Sequence, residues 1–201
     1  ENGLTTLKQF YEKKLPLSAA HRKTMRDLRL YMLVGGMPQA VDAYIKYNNM
    51  QAVDKVKRQI IQLYDDDFMK LDSSGRASLM FKNIPSQLNS NASRYKIKTA
   101  IDTRRTDNVD LIVSEMRESM VVNLSYHITD PNVGLGMHKL MDAYKMFMVD
   151  TGLFVTLAFW DKSFAENIIY NKLLSDKLEA NLGYVYENLV AQMLTAAGNE
   201  L

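Results

Sequence analysis

Five cations fall within twelve positions of this 201-residue chain, Arg94, Lys96, Lys98, Arg104 and Arg105, and only Asp102 opposes them. Phosphate backbones are bound by such local clusters, and the affinity falls steeply with salt. A solvated basic edge fits the same residues equally well. Asp65-Asp66-Asp67 offers carboxylates of the type that hold Mg²⁺ or Ca²⁺. Consecutive helical positions, however, point about 100° apart, so three in a row do not converge on one ion. No metal site is assigned. His21, His127 and His138 lack the His-x-x-x-His spacing of a zinc helix. No glycine is followed by lysine, which removes the Walker phosphate cradle, and no Gly-x-Ser-x-Gly nucleophile elbow occurs. With zero cysteines, thiolate nucleophiles and disulfides are also absent. No complete catalytic constellation is present in the sequence.

The elements that would carry these residues are mostly helical. Ser18 can cap a helix bearing Met25, Leu28, Met32 and Leu33 on one side. In Val34-Gly35-Gly36-Met37-Pro38, a glycine reaches the left-handed conformation without a Cβ clash. Pro38 at a first helical position loses only a donor with no partner. One helix should therefore end near Val34 and the next begin near Pro38. From Gln51 to Leu71, the residues Val53, Val56, Ile60, Tyr64, Phe68 and Leu71 recur at three- and four-residue steps, predicting one long helix with that stripe buried. Ser73-Ser74-Gly75 breaks the pattern and marks a boundary. Short helices follow at Arg76 to Asn83, Tyr95 to Ile101 and Asp107 to Glu118. Two β-like stretches come next, Met120 to Ile128 and Ala143 to Val149. Three helices and a hairpin-like pair are the order of a winged helix, whose third helix lies in the major groove. Here Asp107, Asp110, Glu115 and Glu118 outnumber Arg117 on that helix. Base readout is therefore weakened, while phosphate contact remains open, and contact with a protein is at least as compatible.

Composition fits a globular cytoplasmic chain, with 47% hydrophobic residues and a formal charge of +2. No uninterrupted apolar run is long enough to span a bilayer, so no membrane partner is expected. Charge is uneven: residues 1–72 carry +3, 73–118 carry +3 and 119–201 carry −4.

The Gly35-Gly36-Met37-Pro38 motif, Ile84-Pro85-Ser86-Gln87-Leu88 and Asp150-Thr151-Gly152-Leu153 together resemble a group of bacterial and archaeal AAA-type P-loop ATPases. These carry an uncharacterised helical and winged-helix segment and a PD-(D/E)xK nuclease-like tail. The run Gly183-Tyr184-Val185-Tyr186-Glu187-Asn188-Leu189-Val190 is similar to the helix that opens that tail. The resemblance implies a mainly α fold with a small β component. It places a helical lid or connector at 1–72, a winged-helix-like domain at 73–157 and the helical start of a nuclease-like domain at 158–201. It further implies a non-catalytic middle fragment, with the phosphate pocket and most of the metal cluster encoded outside residues 1–201. ATP and Mg²⁺ belong to the parent protein, and no cofactor is expected here. Glu187 would be the one catalytic carboxylate, joined by an Asp and a Glu-x-Lys pair downstream. DNA is one implied partner, and self-association or a protein partner is the alternative. Two departures from the family pattern fall at the third helix. Leu111 to Val113 are aliphatic where relatives place a tryptophan, and Asp102-Thr103-Arg104 replaces a Gly-Ala-Arg turn.

Overall fold

A computed structural model describes residues 18–101, 108–130, 138–162 and 183–201, with the further positions 8, 11–13, 170 and 174–175. The described elements run α1 Ser18–Val34, α2 Pro38–Tyr47, α3 Met50–Leu71, α4 Arg76–Lys82, α5 Ile84–Asn89, α6 Ile97–Ala100, α7 Val109–Glu118, β1 Val122–Ile128, β2 Lys139–Met148, α8 Thr151–Ala158 and α9 Gly183–Ala196. The described residues are thus mainly helical, with one two-stranded antiparallel sheet.

Local chemistry sets these boundaries. Gly35, at φ +82°, turns the chain out of α1, and Pro38 opens α2 one turn later. The expected corner is where the sequence puts it. The Asn49 side chain accepts from Gln51 N at 2.7 Å and starts α3. Asp72 accepts from the amides of Ser74 and Arg76 and so opens α4. Although partial burial works against it, these bonds hold the Asp72 carboxyl down at about 2. The Asp150 carboxylate caps α8 through Leu153 N at 2.7 Å. Helix α4 ends at Lys82, and after Asn83 helix α5 begins at Ile84 with Pro85 in its first turn, where a missing donor costs nothing.

β1 and β2 pair in register from Val122 opposite Met148 to Tyr126 opposite Tyr144, and a bulge shifts the register before His127 opposite Leu140. β2 begins at Lys139, four residues earlier than the apolar pattern suggests, because pairing resumes at Leu140 and Lys139 beyond the bulge. On the far side of β2, Tyr95 N donates to Tyr144 O at 2.6 Å, and the two rings stack with centroids 6.4 Å apart.

One apolar cluster joins Leu33 of α1, Ile61 and Phe68 of α3, Phe81 of α4, Met116 of α7, Met146 of β2, Phe154 of α8 and Leu189 of α9. Helix α8 lies inside it, with every residue from Thr151 to Leu157 buried. The α3 stripe differs from the predicted one. Val53, Ile61 and Phe68 are buried, Val56, Ile60 and Tyr64 are half-buried, and Leu71 is exposed. The helix is rotated so that Asp54 and Lys57 face inward. Periodicity of apolar residues alone cannot see that, because a buried ion reads as a surface position.

Candidate functional site

The Gly35-Gly36 corner and the Asp150-Thr151-Gly152-Leu153 segment lie 114 residues apart in sequence and interlock in space. Gly36 N donates to Asp150 Oδ2 at 2.6 Å, while the other carboxylate oxygen caps α8. A Cβ on Gly152 would stand 2.5 Å from Gly35 Cα and 2.7 Å from Val34 O, both backbone atoms. A Cβ on Gly35 would run into the Asp150 carboxylate. Both glycines are therefore required by close approach. The motif is a lock between two elements.

Lys57 seals this lock from α3. Its side chain has no exposed surface, and Nζ donates to Leu33 O at 2.6 Å, Gly152 O at 3.2 Å and Tyr170 Oη at 3.3 Å. Leu33 O is one of the carbonyls that the end of α1 leaves without a helical partner. Tyr170 in turn donates to Asp54 Oδ1 at 2.8 Å, and Asp54 pairs with Arg58. Burial pulls the Lys57 ammonium down to about 8, although Asp54 and Asp150 both favour its charge. Burial pushes the Tyr170 hydroxyl up, and the adjacent Asp54 carboxylate adds to this. A lysine of this kind elsewhere serves as a nucleophile. Here its three donors are directed at three acceptors and it has no accessible surface, so it works as a tether.

Helix α9 is fastened to the same place. The Asn188 side chain is fully buried; its Oδ1 accepts from Met148 N at 2.8 Å, and its Nδ2 donates to Met148 O and to Thr151 Oγ1, each at 3.2 Å. One amide group thus reproduces both bonds of a neighbouring strand. Gln192 Oε1 accepts from Thr151 N at 2.9 Å, and its Nε2 donates to Tyr31 Oη at 2.7 Å, tying α9 to α1. Glu187, the sequence's catalytic candidate, is about one-third exposed on this helix and forms an ion pair with Lys145 Nζ at 2.5 Å. Among the described residues, no group of three His, Asp or Glu is placed to hold a metal ion.

The basic candidates are elsewhere. Arg94, Lys96 and Lys98 are exposed around the start of α6. Arg104 and Arg105 lie outside the described residues. The three consecutive aspartates splay as helix geometry requires: Asp65 accepts from Ser78 and Lys82, Asp66 from Gln62, and Asp67 from Lys70. No described helix is long and apolar enough to cross a membrane.

Sequence reasoning picked out Gly35, Gly36, Pro38 and Glu187, and missed Lys57, Asp54 and Tyr170. The one signal was that Asp54 and Lys57, three residues apart, share the face of α3 that carries Val53 and Ile61.

A family model described as a domain of unknown function, DUF8612, matches residues 25–163. No curated protein and no solved structure matches the chain.

Proposed function

The chain belongs to the DUF8612 family, and from that premise we propose that it is a non-catalytic coupling module. In this reading α1–α3 are the lid and connector of a nucleotide-driven ATP-binding protein, 73–157 is a winged-helix-like unit, and α9 begins a nuclease-like domain. The observation that carries it is the lock itself. Asp150 and Lys57 each bond both the α1–α2 corner and α8, and Asn188 and Gln192 bond α9 to the first residue of α8. Movement of the connector therefore shifts the base of the hairpin and the root of α9 together. ATP and Mg²⁺ act in the parent protein. Glu187 takes part in phosphodiester chemistry only with an Asp and a Glu-x-Lys supplied from downstream.

Support for the winged-helix reading comes from the order α4/α5, α6, α7, β1, β2 and from the Tyr95 rung on Tyr144 O, which is where a short strand between the first two helices would pair. Arg94, Lys96 and Lys98 are exposed and suited to phosphate contact. A second reading, with a protein as the partner, is favoured by α7, whose exposed residues include Asp110, Leu111 and Glu118. Acidic groups on that helix repel the DNA backbone.

Two experiments test these readings. In Asn188→Ala, hydrogen exchange should accelerate at Gly36 and Leu153 as well as in α9; acceleration confined to α9 and Met148 would refute coupling. Duplex DNA binding across a salt series should lose up to about three units of log–log slope in Arg94→Ala/Lys96→Ala/Lys98→Ala. Binding that is absent at low salt would decide for the protein partner.

A further inference from the structure

Four cations, Arg22, Lys23, Arg26 and Arg29, fall within eight positions of α1, and only Asp27 opposes them. Arg22 and Arg26 stand four positions apart, and Arg26 stands three from both Lys23 and Arg29. Those spacings set like charges one above another on one side of a helix, which weakens it. Helices α2 and α3 use the same spacings to the opposite effect: Lys46 pairs with Asp42, Arg58 with Asp54 and Lys70 with Asp67. The first turn of α1 holds no acidic residue to offset its cations. Arg22, Lys23 and Arg26 are exposed, and no described residue holds any of them in an ion pair or hydrogen bond. Folding gains nothing from this arrangement, so its use lies outside the fold.

We propose that this side of α1 is a ridge that binds the phosphate backbone of duplex DNA, independently of Arg94, Lys96 and Lys98. Seven positions of helix, from Arg22 to Arg29, rise about 10 Å along the axis. One strand of a duplex presents a phosphate every 3.4 Å or so of its axis, so the ridge matches about three in succession. Arginine suits the task because its planar fork meets two phosphate oxygens at once. Two other polyanionic partners fit less well. A helix that lies on a lipid surface must sink its apolar side into it, and on α1 that side is already used: Leu28 packs on the main core and Leu30 on the smaller cluster around Val34 and Ala40. An interface with an acidic protein is built around an apolar centre. From position 21 to 27 the exposed side chains are His21, Arg22, Lys23, Arg26 and Asp27, with no apolar group among them. A charged surface without an apolar centre reads backbone charge and carries no sequence preference.

The test measures binding of a fluorescent DNA duplex of mixed sequence across a salt series. In Arg22→Gln/Lys23→Gln/Arg26→Gln, whose circular dichroism should match the parent, the log–log slope should fall by about two to three units. Arg22→Lys/Arg26→Lys, which keeps the charge, should hold the parent slope. So should Lys46→Gln/Lys70→Gln/Lys162→Gln, which removes the same net charge from lysines already paired with aspartates. An unchanged slope in the first variant overturns the proposal; if Arg94→Ala/Lys96→Ala/Lys98→Ala loses slope in the same series, the winged-helix reading stands without it. An equal loss from the paired lysines also overturns it, because net charge alone would then set the binding. Displacement of the duplex by polyglutamate as effectively as by the same charge of unlabelled duplex overturns it in favour of an acidic protein.

Discussion

The centre of the molecule and its α9 flank are built to opposite rules. Around Gly35, Gly152, Asp150 and Lys57, backbones touch, and Lys57 and Asp150 each bond more than one element. On the flank, Val190 and Met193 are more than half exposed, and the β1 edge has one outward rung from Leu201. The glycine-rich motif belongs to the first region, and no recognisable motif marks the open edge. The difference teaches that a distinctive sequence can record how closely two segments must approach. The exposed flank is instead made of ordinary residues that no local pattern sets apart.

The sharpest way to break this contrast is Gly152→Ala. Its methyl would meet backbone atoms at 2.5–2.7 Å that have no room to move, so unfolding in denaturant should show a loss of about 3 kcal/mol or more. Asp150→Ala should cost about 2–4 kcal/mol in the same measurement, because Gly36 N and Leu153 N lose their acceptor inside the fold. Lys57→Met sharpens the comparison through pH. The folded ammonium lies at about 8, below the unfolded lysine, so the charged form is the one penalised by folding. That penalty is full below pH 8 and is relieved as pH rises above it. The stability of the parent relative to Lys57→Met should therefore rise by up to about 2 kcal/mol between pH 8 and 9.5, and a flat difference would contradict the assignment. At the other end, Met193→Ser on the flank should change stability by less than about 0.5 kcal/mol. A larger loss there would mean the two regions are not different in kind.

Much of the fold could be read from local chemistry. Gly35 with Pro38 located the first corner, the three- and four-residue steps found α3, and alternation found β1 and the second half of β2. Those signals act within a few residues, where conformational preference decides. What stayed hidden depends on contacts between distant segments. Nothing in the sequence near Lys57 says that it reaches Leu33 O and Gly152 O, and its charge made it resemble a solvent-facing residue. Asp150 was visible as part of a motif but not as the acceptor for Gly36. The inward rotation of α3, which leaves Leu71 exposed, follows from the same buried ions. The site residues show a similar division. Glu187 was singled out by the resemblance of its segment to a family helix, whereas its ion partner Lys145, on a strand 42 residues earlier, left no sign in the sequence.

The Asn188 amide has an effect on how far this sheet can grow. By occupying both backbone groups of Met148, it leaves no place on that side for another strand to join. A sheet blocked on one flank has a single edge left, that of β1. Pairing between copies of this chain would therefore stop at two and could not propagate into a fibre.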